Sequence, residues 1–429
     1  MTPPSPPPGK LLVRGIALAV ALGIWFAPVP EGLTPKAWHL FAIFGATILS
    51  VILTAFPLLT AAMIALAASV LTGTVAPAKA FGGFANSSVL LVVVAFVVAR
   101  GVVKSGLGRR VSYMVVRLFG RSTLGLAYSI FFTDAVISPA FPSNTARGGV
   151  LFPIVLALSQ SGGSRPEDGT ARRMGAYLMF CGMASLSISS ALWLTATSVN
   201  PIGVEIGRTF GVDASFGKWL IAASVPALTT ILLLPLVLYK VFPPEVKETP
   251  EAPAAAREAL RAMGPMSRDE KIVAVAFALM VTGWILAGTL NLDRTAVAFA
   301  GLGALLATRV LTLDDFSREG DTLATFLWLA VLFALSGQLN EMGFMGYVGE
   351  RLAAGLGGVS WPVAYVALVV LYVLMHYLFV SQSSQVLALF GVFLGVGVKL
   401  GVPAPLLAFQ LLFATNTFSA ITPQGSSAN

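Results

Sequence analysis

The sequence predicts an all-α, polytopic membrane protein made of two inverted halves, each holding a re-entrant hairpin and a broken helix. Three observations predict it: the composition, two long apolar runs interrupted by polar residues, and an internal repeat. Of the 429 residues, 56% are hydrophobic and 11% charged, whereas a soluble domain carries roughly 25% charged residues. The solvent for this chain is therefore a bilayer.

The same composition excludes other classes. The net charge is +8, but no compact basic stripe with interleaved aromatics accompanies it, so nucleic acid is not a partner. Cys181 is the only cysteine, which rules out an internal disulfide and a thiolate metal cluster. Residues 1–10, MTPPSPPPGK, form a short proline-rich tail, neither a cleavable signal nor an Arg/Ser-rich transit peptide. The expected location is the cell (inner) membrane, not an organelle.

Apolar runs of about 17 to 25 residues mark crossings. In the first half, 11–243, they fall at 12–29, 37–56, 57–75, 87–104, 174–206 and 218–240. In the second half, 269–429, they fall at 271–290, 295–311, 323–340 and 403–421. Residues 244–268, polar, charged and rich in Pro and Ala, separate the halves as a cytoplasmic linker. Arg109 to Arg121 reads as an interfacial helix, with Val111, Met114, Val115 and Leu118 on one face and Arg110, Arg117 and Arg121 on another.

Residues 124–160 and 361–400 are each long enough to enter the membrane and return. Each has a polar break at its centre, "PSNTARGG" in one and "VSQSSQV" in the other. Irregular backbone at membrane depth survives only where protein or a water-filled cavity satisfies its amides, so both tips are expected to line a site. Two kinked helices followed by short ones are the plainer alternative. The broken helices are 174–206, interrupted at "LTATSVNPIG", and the run from 403, which reaches "ITPQGSSAN". Because the first-half segment continues past its break, a final membrane helix is expected after Asn429.

The repeat joins these elements. Ala95 to Gly120 lies over Leu332 to Gly357, with Gly106 over Gly343 at an offset of 237. At an offset of 238, Ser143 falls on Ser381. Five crossings and one hairpin separate the two copies, and an odd number inverts them. Inverted repeats with broken helices near the midplane are an architecture of secondary transporters. With the N-terminus cytoplasmic, most of the 27 Lys and Arg residues fall on the cytoplasmic side, as the positive-inside rule requires.

"PSNTARGG", "HYLFVSQSSQVLALF" and "LLFATNTFSAITPQGSSAN" together resemble the divalent anion:sodium symporter, or INDY-type, family. The likeness is greatest to its branch of 2-oxoglutarate/malate translocators and citrate/succinate antiporters. The resemblance covers nearly the whole chain. It implies a homodimer, a scaffold domain, a transport domain that moves as an elevator, and a dicarboxylate held between two Ser-Asn-Thr motifs. In symporting members, it also implies sodium sites beside those motifs.

On this reading Ser143, Asn144 and Thr145 bind one carboxylate, and Ser381, Gln382 and Ser383 bind the other. Hydroxyl and carboxamide groups donate hydrogen bonds at low cost within a membrane, and half-helices starting at the tips add about half a positive charge each. The second tip has Gln for Asn and Ser for Thr, which puts its sodium site in question. Arg147 and His376 stand where a symporter uses sodium. An arginine at mid-depth costs on the order of 2.5 to 3.5 kcal/mol on insertion scales, so it needs a partner or a role. The partner is either the dianionic substrate or Asp134, and His376 is either a substrate group or a hydrogen-bonded helix histidine.

Thr197, Ser198 and Asn200 in the first break, and Thr422, Ser426, Ser427 and Asn429 in the second, are candidates for coordinating a cation through hydroxyls and freed carbonyls. Helix–helix hydrogen bonding is the competing role. The expected function is secondary transport of di- or tricarboxylates by exchange, with no cofactor beyond sodium. Sodium-coupled symport is the alternative. An intramembrane hydrolase using Ser143 or Ser381 with His376 as base is remote, because five residues of helix separate His376 from Ser381 by about 7.5 Å.

Overall fold

The computed structural model describes residues 8–317, 320–355, 358–379 and 381–418. They form helices and, among the described residues, no strand, only an isolated bridge between Ser122 and Glu248. Seven helical segments are long and apolar enough to cross a membrane by length and composition: Pro35–Ile52, Pro77–Ser105, Thr123–Ala140, Gly175–Leu192, Phe216–Val241, Thr322–Glu341 and Gln382–Lys399. Leu11–Phe26, Leu58–Leu71, Arg294–Ala307 and Trp361–His376 are shorter apolar helices. The chain is a multi-pass membrane protein. Helix starts carry the residues that cap unpaired amides. Thr34 accepts from Ala37 N–H ahead of Pro35, Ser215 accepts from Lys218 N–H, and Ser267 with Glu270 forms a capping box.

The chain divides into two compact units, and each takes segments from both halves of the sequence. One contains Met1–Val93, Ile202–Asp213 and Gly320–Thr415; the other contains Val94–Pro201, Ala214–Glu319 and Asn416–Asn429.

In the second of these units the run 124–160 forms a helical hairpin. Its arms, Thr123–Ile137 and Asn144–Ser161, are joined by a short 3-10 turn, Ser138–Ala140, and the extended residues up to Ser143. Leu126, near the start of one arm, and Leu158 and Ser161, at the end of the other, line one cavity. The outer ends of the arms therefore lie on the same side. Both arms pack on Gly175–Leu192, around a core of Leu126, Phe131, Tyr177, Leu178, Cys181 and Ile231. Gly175–Leu192 gives way at Trp193 and helix resumes at Val199–Arg208, so 174–206 is broken where the polar residues fall.

The amphipathic helix runs Leu107–Phe119, beginning after Gly106 in the left-handed region at φ 82°. Met114, Leu118 and Phe119 are exposed on it. Arg110, grouped in the sequence with the basic face, turns inward. Its Nε donates to Glu270 Oε1 (2.7 Å), its Nη2 to Glu270 Oε2 (3.1 Å) and its Nη1 to the Gly264 carbonyl (3.0 Å). The linker is itself structured: Ala252–Met263 is a helix packed on Leu107–Phe119.

In the first-mentioned unit, Trp361–His376 and the segment Gln382–Lys399 make the second hairpin. Its ends meet where Gly401 approaches the Trp361 side chain. The second arm departs from α-helix over Val386–Phe390, a π-helical turn. In the same unit Gly83 lies so close to the Ala330 carbonyl that a Cβ would sit 1.9 Å from it, so only glycine fits there.

Two pairs of positions matched by the sequence offsets share local geometry. Gly106 and Gly343 have φ of 82° and 81°, and each separates a long helix from a shorter one. The tip serines match in backbone: Ser143 has φ −144° and ψ 125°, and Ser381 has φ −146° and ψ 132°.

Candidate functional site

At the first tip, Ser143 caps the second arm by accepting the Ala146 N–H (3.3 Å). Asn144 is buried and Thr145 exposed. Arg147 is fully buried. Its Nη2 donates to Asn144 Oδ1 (2.6 Å), to the Leu186 carbonyl (2.9 Å) and to Ser190 Oγ. Ser190 Oγ also donates to Asn144 Oδ1 (2.6 Å). Three oxygens thus converge on one guanidinium nitrogen. The other terminal nitrogen, Nη1, stands 3.5 Å from Asp134 Oδ1, with both side chains fully buried. Asp134 is one of the two partners open to Arg147 in the sequence, the dianionic substrate being the other.

The first break folds back onto this tip. Ser198 N–H donates to the Pro142 carbonyl (3.1 Å), and Thr195 Oγ1 to that of Pro139 (2.9 Å). Thr197 is buried beside them in sequence. Asn200 spends its amide hydrogens on the Ser190 and Trp193 carbonyls (2.8 and 3.1 Å), while its Oδ1 accepts from Asn416 Nδ2 (2.8 Å). Helix–helix bonding, the competing role, therefore engages Asn200 in this structure. Thr422, Ser426, Ser427 and Asn429 lie outside the described residues.

At the second tip Ser381 and Gln382 are half-buried and Ser383 is buried. Gln382 Nε2 donates to the Thr415 carbonyl (2.9 Å), and Tyr372 Oη pairs with Thr415 Oγ1 (3.1 Å). His376 is buried, with Nδ1 2.5 Å from Gln385 Oε1, and Gln385 Nε2 donates to the Tyr372 carbonyl (2.8 Å).

The sequence reading missed Ser190, Gln385, Tyr372 and Thr415. A signal for two of them was present. The offset that carries Ser143 to Ser381 also carries Arg147 to Gln385 and Asp134 to Tyr372, and each pair links its hairpin arms across thirteen residues.

Helix starts opening at mid-chain breaks, edged with hydroxyl and carboxamide groups around a caged cation, are features of a membrane carrier. The chain belongs to the family described as the sodium:sulfate symporter transmembrane region, which matches residues 9–429, in agreement with the resemblance carried by the motifs. It is 44% identical over 98% of its length to YflS of Bacillus subtilis (strain 168), assigned as a malate transporter, and covers 88% of that protein. It is 41% identical over 94% of its length to the chloroplast dicarboxylate transporter 1 of Spinacia oleracea, of which it covers 71%. Among solved structures, the YdaH transporter of Alcanivorax borkumensis superposes with a TM-score of 0.53 at 18% identity, over 97% of this chain and 88% of that one. This likeness bears on fold alone. Membership in a symporter family sets the hydrolase reading aside.

Proposed function

We propose that the protein is a secondary transporter of di- and tricarboxylates such as malate, 2-oxoglutarate, succinate and citrate, and that it works by exchange without sodium. The names of the malate and dicarboxylate transporters it resembles support the substrate class. The observation that carries the sodium-free reading is the oxygen cage at the first tip. Asn144 Oδ1, the Leu186 carbonyl and Ser190 Oγ are the kinds of ligand a sodium ion takes at a broken helix, and here they surround Arg147 Nη2. At the second tip, the Thr415 carbonyl is engaged by the Gln382 amide.

Each tip takes one carboxylate, through Ser143, Asn144 and Thr145 and through Ser381, Gln382 and Ser383. Asp134 balances Arg147, so the fixed pair contributes no net charge. Two helix starts then offer about +1 together, and an imidazolium at His376 adds another. A dianion on the protonated site leaves the carrier neutral, and the empty site, positive whether or not the imidazole holds its second proton, crosses poorly. One anion must therefore be traded for another. Arg147 acts by holding Asn144, and His376 by meeting the substrate. Exchange so defined proceeds by an elevator motion of a transport domain within a homodimer in the cell membrane, with the N-terminus and residues 244–268 cytoplasmic.

Labelled malate or 2-oxoglutarate entering proteoliposomes preloaded with unlabelled dicarboxylate tests the substrate class. Counterflow at equal rates in sodium and choline is expected, and its absence for every di- and tricarboxylate overturns the reading. Orientation is checked separately with an Ala255→Cys probe, exposed on the linker helix, in a Cys181→Ser background. Labelling by an impermeant reagent outside intact cells would reverse the topology.

A further inference from the structure

We infer that Gln385 is a positioning residue that locks the tautomer of His376, so that His376 meets a carboxylate only as imidazolium. This rests on the proposed contact between His376 and substrate. The carboxamide orientation follows from elementary chemistry. A backbone carbonyl only accepts, so the Gln385 NH₂ must face Tyr372 O (2.8 Å). Gln385 Oε1 is then turned to His376 Nδ1 (2.5 Å), and because this oxygen also only accepts, the proton sits on Nδ1.

In neutral imidazole the other nitrogen, Nε2, then carries a lone pair, which repels a carboxylate. A second proton converts Nε2 to a donor. Substrate binding at this tip is thereby linked to proton uptake, and by reciprocity the substrate raises the affinity for that proton. Imidazole is suited to this because it titrates near physiological pH.

Among the described residues, the two hairpin arms and the helix Ala404–Thr417 carry few other titratable side chains. Its own arm carries only tyrosines as other titratable groups, with the Tyr377 ring edge-on at 5.6 Å. The helix Ala404–Thr417 has no ionisable side chain. The second arm has one, Lys399, which is exposed and bridged to Glu350 at 3.0 Å.

The register strengthens the assignment. Gln385 stands where the first hairpin has Arg147, and in both hairpins this position ties the second arm to the first across thirteen residues. At the position of His376 the first hairpin has Ser138, whose hydroxyl donates to the Ala135 carbonyl (3.2 Å) and does not titrate. The histidine is therefore found at one tip of the two.

The chain has two histidines, His39 and His376, so nitrogen NMR of the ¹⁵N-histidine-labelled full chain with His39→Gln reports on His376 alone. The neutral ring should carry its proton on Nδ1 and lose that preference in Gln385→Met. A proton on Nε2 in the parent, or no change in Gln385→Met, overturns the inference. Dicarboxylate affinity measured against pH supplies the second readout, using a substrate ionised throughout. Affinity should fall roughly tenfold for each pH unit above the midpoint.

Gln385→Glu keeps the shape and the acceptor, so it serves even if Gln385→Met does not fold. It should move that midpoint up by about one unit or more, as an adjacent carboxylate favours the charged ring. His376→Gln should flatten the profile, with no shift left for Gln385→Glu to produce in that background. If His376→Gln leaves the pH dependence intact, the contact between His376 and substrate fails, whatever the NMR shows. If His376→Gln flattens it but Gln385→Glu leaves the midpoint unmoved, the role of Gln385 fails alone.

Discussion

In the first hairpin a buried guanidinium ties the second arm to the first, through Arg147 and Asp134; in the second a carboxamide does so at the same register, through Gln385 and the Tyr372 carbonyl. Both fasten together the two arms of an interrupted helix beside its tip. The charged version holds a permanent cation against Asn144 Oδ1. The neutral version sets its carboxamide against a histidine, His376. One architecture thus holds a guanidinium at one tip and an imidazole at the other, and the difference arises at Arg147 and Gln385 on the second arms and at Asp134, Ser138, Tyr372 and His376 on the first.

Removing the constant charge should have the largest effect. Arg147→Ala leaves Asp134 buried without its partner, at a cost of about 3 to 5 kcal/mol, and releases Asn144. Exchange should be lost, and the unfolding temperature of the purified protein should drop sharply. Near-parent stability in that variant would mean that the pair does not hold the tip.

A buried pair outside the hairpins separates stability from transport. Arg110 hydrogen-bonds Glu270 and holds its carboxyl below the usual glutamate range. Its contribution is present above that range and lost as pH falls through the lowered value. Glu270→Gln should cost about 3 kcal/mol of stability and abolish that acid-side dependence in thermal unfolding, while dicarboxylate affinity stays within a few-fold of the parent. A large affinity loss would show that the Arg110–Glu270 pair also shapes the site.

Asn144→Ala is expected to weaken dicarboxylate binding by roughly tenfold or more, in keeping with the loss of one or two hydrogen bonds near charge, with membrane insertion unchanged. Unaltered affinity by titration calorimetry would remove Asn144 from the substrate site. The smallest effect is expected from Gln382→Asn, which shortens the reach to the Thr415 carbonyl and should change affinity by only a few-fold, about 1 kcal/mol. Sodium-stimulated transport in that variant would show that one methylene decides whether the second tip accepts an ion.

Much of the fold was legible because its solvent imposes a simple code. Runs expected at 37–56, 87–104 and 218–240 appear as helices Pro35–Ile52, Ser87–Ser105 and Phe216–Val241, and the breaks fall at the polar tips. The linker helix Ala252–Met263 was not legible, because its alanine-rich face matters only once it packs on Leu107–Phe119. The partners of Arg147 were hidden for a related reason: Leu186 and Ser190 lie 39 and 43 residues away, in another helix. Arg110 misled a reading by faces, since its acceptor is 160 residues distant. Gln385 was accessible only through the repeat, which identifies the position but not the bond it makes.

The central claim is exchange without sodium, and the most direct measurement compares uptake of labelled dicarboxylate into proteoliposomes that are empty or loaded with unlabelled dicarboxylate, in choline and in sodium. The account predicts rapid uptake only into loaded vesicles, at the same rate in either salt. Rapid sodium-dependent uptake into empty vesicles would contradict it and make the protein a symporter.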